Sequence, residues 1–130
     1  MENDSILSSI KDNVGISEQD TAFDNEILLH INLAFSTLFE IGVGNDIPIR
    51  VENNEPTWSD LFSDYDGCIG FIKEYTYLKV RTLFDPPTNS VVFESMKNLM
   101  TELEWRIRTF IEGLYIKEEK DTSYGTNECL

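Results

Sequence analysis

Basic residues are scarce in this sequence, with 10 Lys and Arg against 24 Asp and Glu, and the formal net charge is −14. The imbalance is concentrated in residues 1–64, which hold 13 acids and 2 bases. Because such a chain repels phosphate groups, we expect no direct binding to nucleic acid or to an anionic membrane surface. The single histidine, His30, and the two separated cysteines, Cys68 and Cys129, indicate neither a metal site nor a disulfide framework.

Long apolar runs are also absent. No segment approaches the roughly 20 apolar residues that span a bilayer, and residues 1–4 lack the basic and apolar parts of a secretory signal. The sequence therefore predicts a protein that stays in the cytoplasm in which it is made. With 130 residues, of which 41% are hydrophobic and 12% aromatic, the chain has enough material for one domain with a core.

The apolar pattern of the N-terminal part predicts two helices. A short first helix is capped by Asp4 or Ser5 and ends at Gly15. A capping box that starts at Thr21 opens a second helix of about twenty residues, which ends at Gly42. Apolar residues cover nearly half of its circumference, which is typical of a central helix. The predicted core face of this second helix consists of Phe23, Ile27, Ile31, Ala34, Leu38 and Ile41.

Two leucines of the second helix, Leu29 and Leu33, lie outside even this wide apolar arc. Their neighbours on the helical wheel are polar, so in an isolated monomer these leucines would bury little apolar surface. We therefore treat Leu29 and Leu33 as candidate interface residues.

Residues 43–57 are predicted to form an irregular loop with one short extended stretch, which Pro48 keeps from being a central strand. A second capping pattern, Thr57 to Asp60, then starts one short helical turn. Trp58 in this turn is expected to anchor the loop to the core.

A third long helix is predicted from about Asp66 to Phe84, where two successive prolines stop it. Tyr77, Arg81 and Phe84 project from the face opposite its core. These three side chains either contact a partner or are covered by other parts of the same chain, and the pattern does not decide between the two. The predicted core face consists of Cys68, Phe71, Ile72, Tyr75, Leu78 and Thr82.

The last helix begins near Asn89 or Ser90 and is predicted to reach Tyr115. On a helical wheel Trp105 lies almost opposite the apolar stripe, which predicts an exposed tryptophan. Because tryptophan is enriched at interface hot spots, partner contact is favoured over accidental exposure. The stripe consists of Val92, Met96, Leu99, Leu103, Phe110 and Leu114, reinforced by Phe93, Met100, Ile107 and Ile111.

Residues 117–130 are polar and charged, with a single aromatic residue, Tyr124. This composition predicts a flexible acidic C-terminal tail after a helical domain of residues 1–116. The tail either becomes ordered on a partner through Tyr124 or stays disordered, and both interpretations remain open.

The sequence contains no pattern that points to catalysis or to a cofactor. It has no phosphate-binding glycine motif and no EF-hand spacing, and His30 is expected to be a structural or solvent-edge residue. The clustered acids could imitate a nucleic acid or form a solvated face, and we favour the solvated face. The residues alone therefore predict a non-enzymatic, acidic, all-α protein: a small bundle of about four to five helices with interaction surfaces.

Several segments resemble one family of proteins. The most specific are YxYLKVRxLFDPP at residues 75–87 and ELEWR at residues 102–106, and residues 20–27, 41–44 and 57–60 add weaker similarity. Together they resemble the head-tail connector, or adaptor, proteins of long-tailed bacteriophages over about residues 5–110. The resemblance implies an all-α protomer without catalytic residues. It also implies a ring, commonly of twelve copies, that lies beneath the portal, extends the DNA channel and offers a docking surface to the tail or a stopper protein.

The resemblance and the residues together suggest two hypotheses. Ring contacts would use Leu29 and Leu33, the Tyr77, Arg81 and Phe84 face, and Trp105. Twelve copies at −14 each carry −168, so DNA would pass through without adhering.

The subunit would be found in the host cytoplasm during assembly and then in the virion. The alternative is a small acidic decoy or regulator that binds a basic host protein.

Overall fold

Five α-helices and one 3-10 turn form the fold in the computed structural model, which describes residues 5–127, with side chains through Lys117. Within this range the only β contact is an isolated bridge between Ser5 and Thr57. The predicted all-α bundle is confirmed. The helices are α1 (Ile6–Asn13), α2 (Asp24–Glu40), α3 (Trp58–Phe62), α4 (Ile69–Phe84) and α5 (Ser90–Asn127), and the 3-10 turn Ser63–Cys68 lies between α3 and α4.

Helix α4 is the centre of the bundle and packs extensively against both α2 and α5. The aromatic part of the core lies between α2 and α3, where the Phe35 ring meets Phe62 edge-on at 5.1 Å and Trp58 at 6.3 Å between centroids. Trp58 is only 1% exposed, so its predicted anchoring role is confirmed. The predicted capping box of α3 is also present, because Thr57 and Asp60 bond each other's backbone amide.

Helix α1 begins and ends as predicted. The Ser5 hydroxyl accepts a hydrogen bond from the Ser8 amide at 3.0 Å, and Gly15 follows the helix with a φ of +86°. The ammonium of Lys11, which is buried, lies 2.8 Å from the carboxylate of Asp24 and donates to the Glu18 carbonyl at 3.1 Å. This ion pair joins α1 to the start of α2.

The predicted capping box at Thr21 is wrong. Helix α2 begins only at Asp24, and its N-cap residue, Phe23, makes no side-chain hydrogen bond. The carboxylate of Asp24 pairs with the buried ammonium of Lys11 instead of capping the helix. Leaving a buried ammonium without a counter-charge costs more free energy than losing a helix cap, which is worth about 1 kcal/mol. The end of α2 is as predicted, since Gly42 adopts a φ of +113°. A β-carbon at this position would also lie 2.9 Å from the Ile111 side chain of α5.

The loop after α2 is irregular as predicted, and one side chain fixes it to the helix. The Asn32 amide is buried; its oxygen accepts from the Val51 amide at 2.8 Å, and its nitrogen donates to the Val51 carbonyl at 2.9 Å. Tyr65 adds a second connection, because its hydroxyl accepts from the Gly44 amide at 2.9 Å.

Helix α4 starts at Ile69, three residues after the predicted Asp66. The 3-10 turn intervenes because the backbone at Tyr65 leaves helical geometry, with φ −117° and ψ 29°. Gly67 in this turn lets α5 approach, since a β-carbon there would lie 2.5 Å from the Phe110 ring. The predicted end of α4 at Phe84 is confirmed.

Helix α5 begins as predicted, with the Asn89 side chain accepting from the amides of Val91 and Val92 at 2.8 and 3.2 Å. It does not end near Tyr115, because its backbone stays helical to Asn127. Residues 117–127 of the proposed tail are therefore part of this helix, and the flexibility of the tail stays a prediction. Its side chains from residue 118 onward lie outside the described residues, Tyr124 included.

Some residues predicted for the core faces are exposed. Phe23, Phe71, Val92 and Leu99 all lie at edges of the bundle, and Thr82 is only half-buried. For Val92 and Leu99 the reason is that the rest of the protein covers only part of the broad apolar stripe of α5. The buried residues of α5 are Met100, Leu103, Ile107 and Ile111.

Candidate interaction surfaces

The groups that could perform chemistry are dispersed in the structure. Among the described residues, no three His, Cys, Asp or Glu side chains come together in a way that could hold a metal ion. Cys68 is buried, and burial raises the pKa of its thiol to about 11, so it is not a thiolate nucleophile at neutral pH. His30 is half-buried on α2, and Cys129 lies outside the described residues.

Over the described part of the chain, no helix is long and apolar enough to cross a membrane.

A polar cavity of about 760 Å³ lies beside α1. Its hydroxyl groups are already used within the fold: Ser5 and Ser8 donate to the Asn54 side-chain oxygen, and Ser9 accepts from the Trp58 indole at 2.9 Å. Lys73 lies over the Trp58 ring, 5.8 Å from its centroid. These bonds hold α1 to the loop, so the cavity is explained by the fold.

The first interaction surface is the α2 face, defined here by Leu29, Leu33, Glu26 and Glu40. Leu29 is 67% exposed and Leu33 is 47% exposed, as the sequence predicts. At 3.6 residues per turn the four side chains lie within about 60° of one another around α2. Both glutamates are exposed, and neither forms an ion pair with any described residue. The α2 face thus combines unpaired negative charge with apolar surface.

The predicted face of Tyr77, Arg81 and Phe84 is partly covered by the protein itself. Phe84 meets the Phe23 ring edge-on at 5.4 Å between centroids, and both Tyr77 and Phe84 pack against the core. Arg81 donates to the Asp85 carbonyl at 2.7 Å. All three side chains keep an accessible edge, so contact of this face with a partner stays a prediction.

The second interaction surface is the α5 stripe, defined by Val91, Trp105 and Ile116. Trp105 is 61% exposed, which confirms the prediction, and Val91 and Ile116 are exposed as well. On a helical wheel Val91 and Ile116 lie within about 40° of Trp105. The helical wheel of α5 contains the information that Val91 and Ile116 lie on the same side as Trp105. The prediction named only Trp105 and its polar neighbours, and it missed these two residues.

A third surface, which the sequence analysis did not find, is the groove between α4 and α5. It has a volume of about 330 Å³, and Lys79 and Lys97 lie at its edge. Leu83, which is 43% exposed, Phe93 and Met100 supply apolar surface. Single-helix patterns cannot reveal such a groove, because its shape depends on how two helices are placed. The other lining residues are Thr82, Thr101 and Glu104.

The charges divide between the two parts of the fold. Residues 5–68 hold 12 acids and 2 bases. One of the two bases, Lys11, is buried and paired with Asp24. Residues 69–117, which form α4 and most of α5, hold 6 acids and 7 bases. One region is therefore strongly negative, and the other offers cations on its surface.

The fold and these surfaces together define the class of protein: an all-α bundle with exposed apolar surfaces and no metal-binding cluster among the described residues. A family model described as phage connector protein matches residues 6–113. The match covers most of the chain, which therefore belongs to the phage connector protein family, a family of structural phage proteins. The resemblance found in the sequence is confirmed. The chain has no match among curated proteins or among solved structures.

Proposed function

We propose that this chain is the subunit of a head-tail connector ring. Copies of it assemble beneath the portal, commonly as twelve, and the ring continues the DNA channel and binds the tail or a stopper protein below. The subunit is present in the host cytoplasm during assembly and in the virion afterwards. The match to the connector family over residues 6–113 supports this role.

The observation that carries the proposal is the presence of two different apolar surfaces on two helices. A ring of identical subunits is closed by heterologous contacts, in which each copy offers one surface to one neighbour and another surface to the next. The α2 face is one such surface, and the α5 stripe, on a different helix, is a second exposed apolar surface that is available to the portal, tail or stopper protein. Tryptophan is a residue type enriched at interface hot spots, so we assign Trp105 to a protein contact.

The net charge is consistent with a channel for DNA. Twelve copies at −14 each carry −168, and an acidic bore would let DNA pass without adhering. The same charge would suit an acidic decoy that binds a basic host protein, but the family match supports the connector. A bore lined by lysine and arginine in the assembled ring would contradict the DNA-passage part of the proposal.

The test is an early stop codon in this gene, in the phage or prophage that carries it. A connector is required to join heads to tails, so electron microscopy should show separate heads and finished tails. Purified protein added to the lysate should restore whole particles. Normal virions from the mutant would overturn the proposal, and pull-downs from host extract at low and high salt would then test the decoy.

Trp105→Ala examines the surface itself in the same add-back assay. We expect the variant to restore at least about tenfold fewer particles, because removing a hot-spot side chain typically costs 2 kcal/mol or more in binding. Its unfolding free energy should change by less than about 0.5 kcal/mol, since the side chain is exposed. Ile47→Ala is the matched control, because Ile47 is also exposed but lies in the loop. Full rescue by Trp105→Ala would exclude Trp105 from the interface.

A further inference from the structure

We infer that the α2 face of one copy packs into the groove between α4 and α5 of a second copy. This inference rests on the proposed ring and names the two surfaces that form its subunit contact. The occupant of the groove is thus this chain itself, and the argument has three parts: apolar fit, charge and topology.

The apolar parts of the two surfaces suit each other. Leu29 and Leu33 are one helical turn apart, so they project side by side as a pair of knobs. The groove is lined by Leu83, Phe93 and Met100 and has a volume of about 330 Å³, enough for more than one aliphatic side chain. Burying the two leucines there would remove apolar surface that the monomer leaves in water.

The charges at the edges of these surfaces are opposite. Glu26 and Glu40 lie on the α2 face and have no ionic partner among the described residues. Lys79, which lines the groove, likewise pairs with no acid in that part of the chain. Lys97 has an exposed contact with Glu94 at 3.7 Å and lies over the Phe93 ring, 5.5 Å from its centroid. The one carboxylate that lines the groove, Glu104, accepts a hydrogen bond from the Tyr75 hydroxyl. Docking would bring negatively charged side chains of one copy to positively charged side chains of the other, which favours this pairing over contact between two α2 faces.

The contact is heterologous, because the α2 face and the groove are different surfaces. After one such contact, each copy still has one surface unused, so further copies add in the same direction until the assembly closes. The α2 face lies on a helix that packs on α4, and α4 itself forms one side of the groove, so the core fixes the relative position of the two surfaces. The α5 stripe stays outside this contact and remains available to other partners.

Disulfide trapping tests the pairing. In a Cys129→Ser background that retains the buried Cys68, the variant Leu33→Cys/Leu83→Cys would place one thiol on each surface. Under mild oxidation we expect a ladder of dimers, trimers and larger species on a non-reducing gel, since disulfides form only between α-carbons within about 7 Å. The control pair Ile47→Cys/Leu83→Cys, with an exposed loop residue, should give no ladder. Dimers formed by Leu33→Cys alone would show that two α2 faces meet, and would overturn the pairing.

Charge reversal tests the same contact without a disulfide bond, which could itself hold two copies together. Glu26→Lys/Glu40→Lys and Lys79→Glu/Lys97→Glu each place like charges at every contact, so either variant alone should lower the oligomer yield at least about tenfold. A mixture of the two should recover the yield, because in an alternating assembly every contact again joins opposite charges. Low yield from the mixture, with normal thermal stability of both variants, would overturn the pairing.

The outcomes separate this inference from the connector role. Trapping is performed both on free protein and on particles restored in the add-back assay. Restored particles without the ladder would keep the connector role and overturn the pairing. A ladder in free protein, without restoration of particles, would support the pairing and overturn the connector role.

Discussion

The two halves of this fold are held together by different kinds of interaction. From α1 to the 3-10 turn, buried polar contacts connect segments that are distant in sequence: Lys11 with Asp24, and Asn32 with the Val51 backbone. Helices α4 and α5 instead pack through aliphatic and aromatic side chains, with one polar contact at Tyr75. Buried polar pairs depend strongly on both partners being present, whereas apolar contacts degrade gradually. The N-terminal half should therefore be the more sensitive to single polar substitutions.

The largest effect is expected from Asp24→Asn. The variant leaves the buried Lys11 ammonium without its counter-charge, which lies 2.8 Å away in the native protein. We expect the free energy of unfolding to fall by about 3 kcal/mol, measured by urea denaturation. The control is Glu52→Gln, which breaks the exposed pair with Arg50 and should cost less than about 0.5 kcal/mol. Equal losses of unfolding free energy in the two variants would show that burial does not increase the contribution of the ion pair to stability.

A smaller loss, about 2 kcal/mol, is expected from Asn32→Ala. The substitution leaves the buried amide and carbonyl of Val51 without their partner. Because this pair fixes the loop, limited proteolysis should also cut between residues 43 and 56 faster than in the native protein. Thr101→Ala, on the exposed side of α5, is the matched control for loss of a polar side chain. Unchanged cleavage in Asn32→Ala would show that the loop is held elsewhere.

The smallest effect should come from Tyr75→Phe in the other half. Its hydroxyl donates to Glu104 at 3.2 Å, and the variant is expected to lose about 1 kcal/mol at pH 7. Burial, and then the Glu104 carboxylate, raise the pKa of Tyr75 above its usual range. The unfolded tyrosine ionises near pH 10 while the folded one stays protonated, so the native protein loses stability as pH rises through 10. The difference between the native protein and the variant should therefore shrink above pH 10, and a constant difference would contradict this.

Local patterns in the sequence were sufficient for most of the helices and for Trp105. The caps at Ser5, Thr57 and Asn89 act within a few residues, and the structure contains all three. Trp105 was predicted as exposed because the wheel of a single helix determines which side faces away from the core.

The errors have the opposite origin, because they involve residues whose partners are far away in the sequence. Asp24 was assigned to a local cap, but its partner is Lys11, 13 positions earlier. Asn32 is a polar residue on a helix, and nothing near it indicated that it would bond a loop backbone 19 positions later. The groove at Lys79 and Lys97 requires the relative placement of two helices.

The places at which the loop after α2 is anchored have a practical consequence for imaging the assembly. Tyr65 holds the loop at Gly44 and Asn32 holds it at Val51, and the exposed residues Asn45, Asp46 and Ile47 lie between these two anchors. Exposed loop tips of this kind tolerate inserted sequence. A short peptide tag placed between Asn45 and Asp46 would leave both anchors intact, and a bound antibody fragment would then mark every copy. Counting these marks around a particle would give the number of subunits directly.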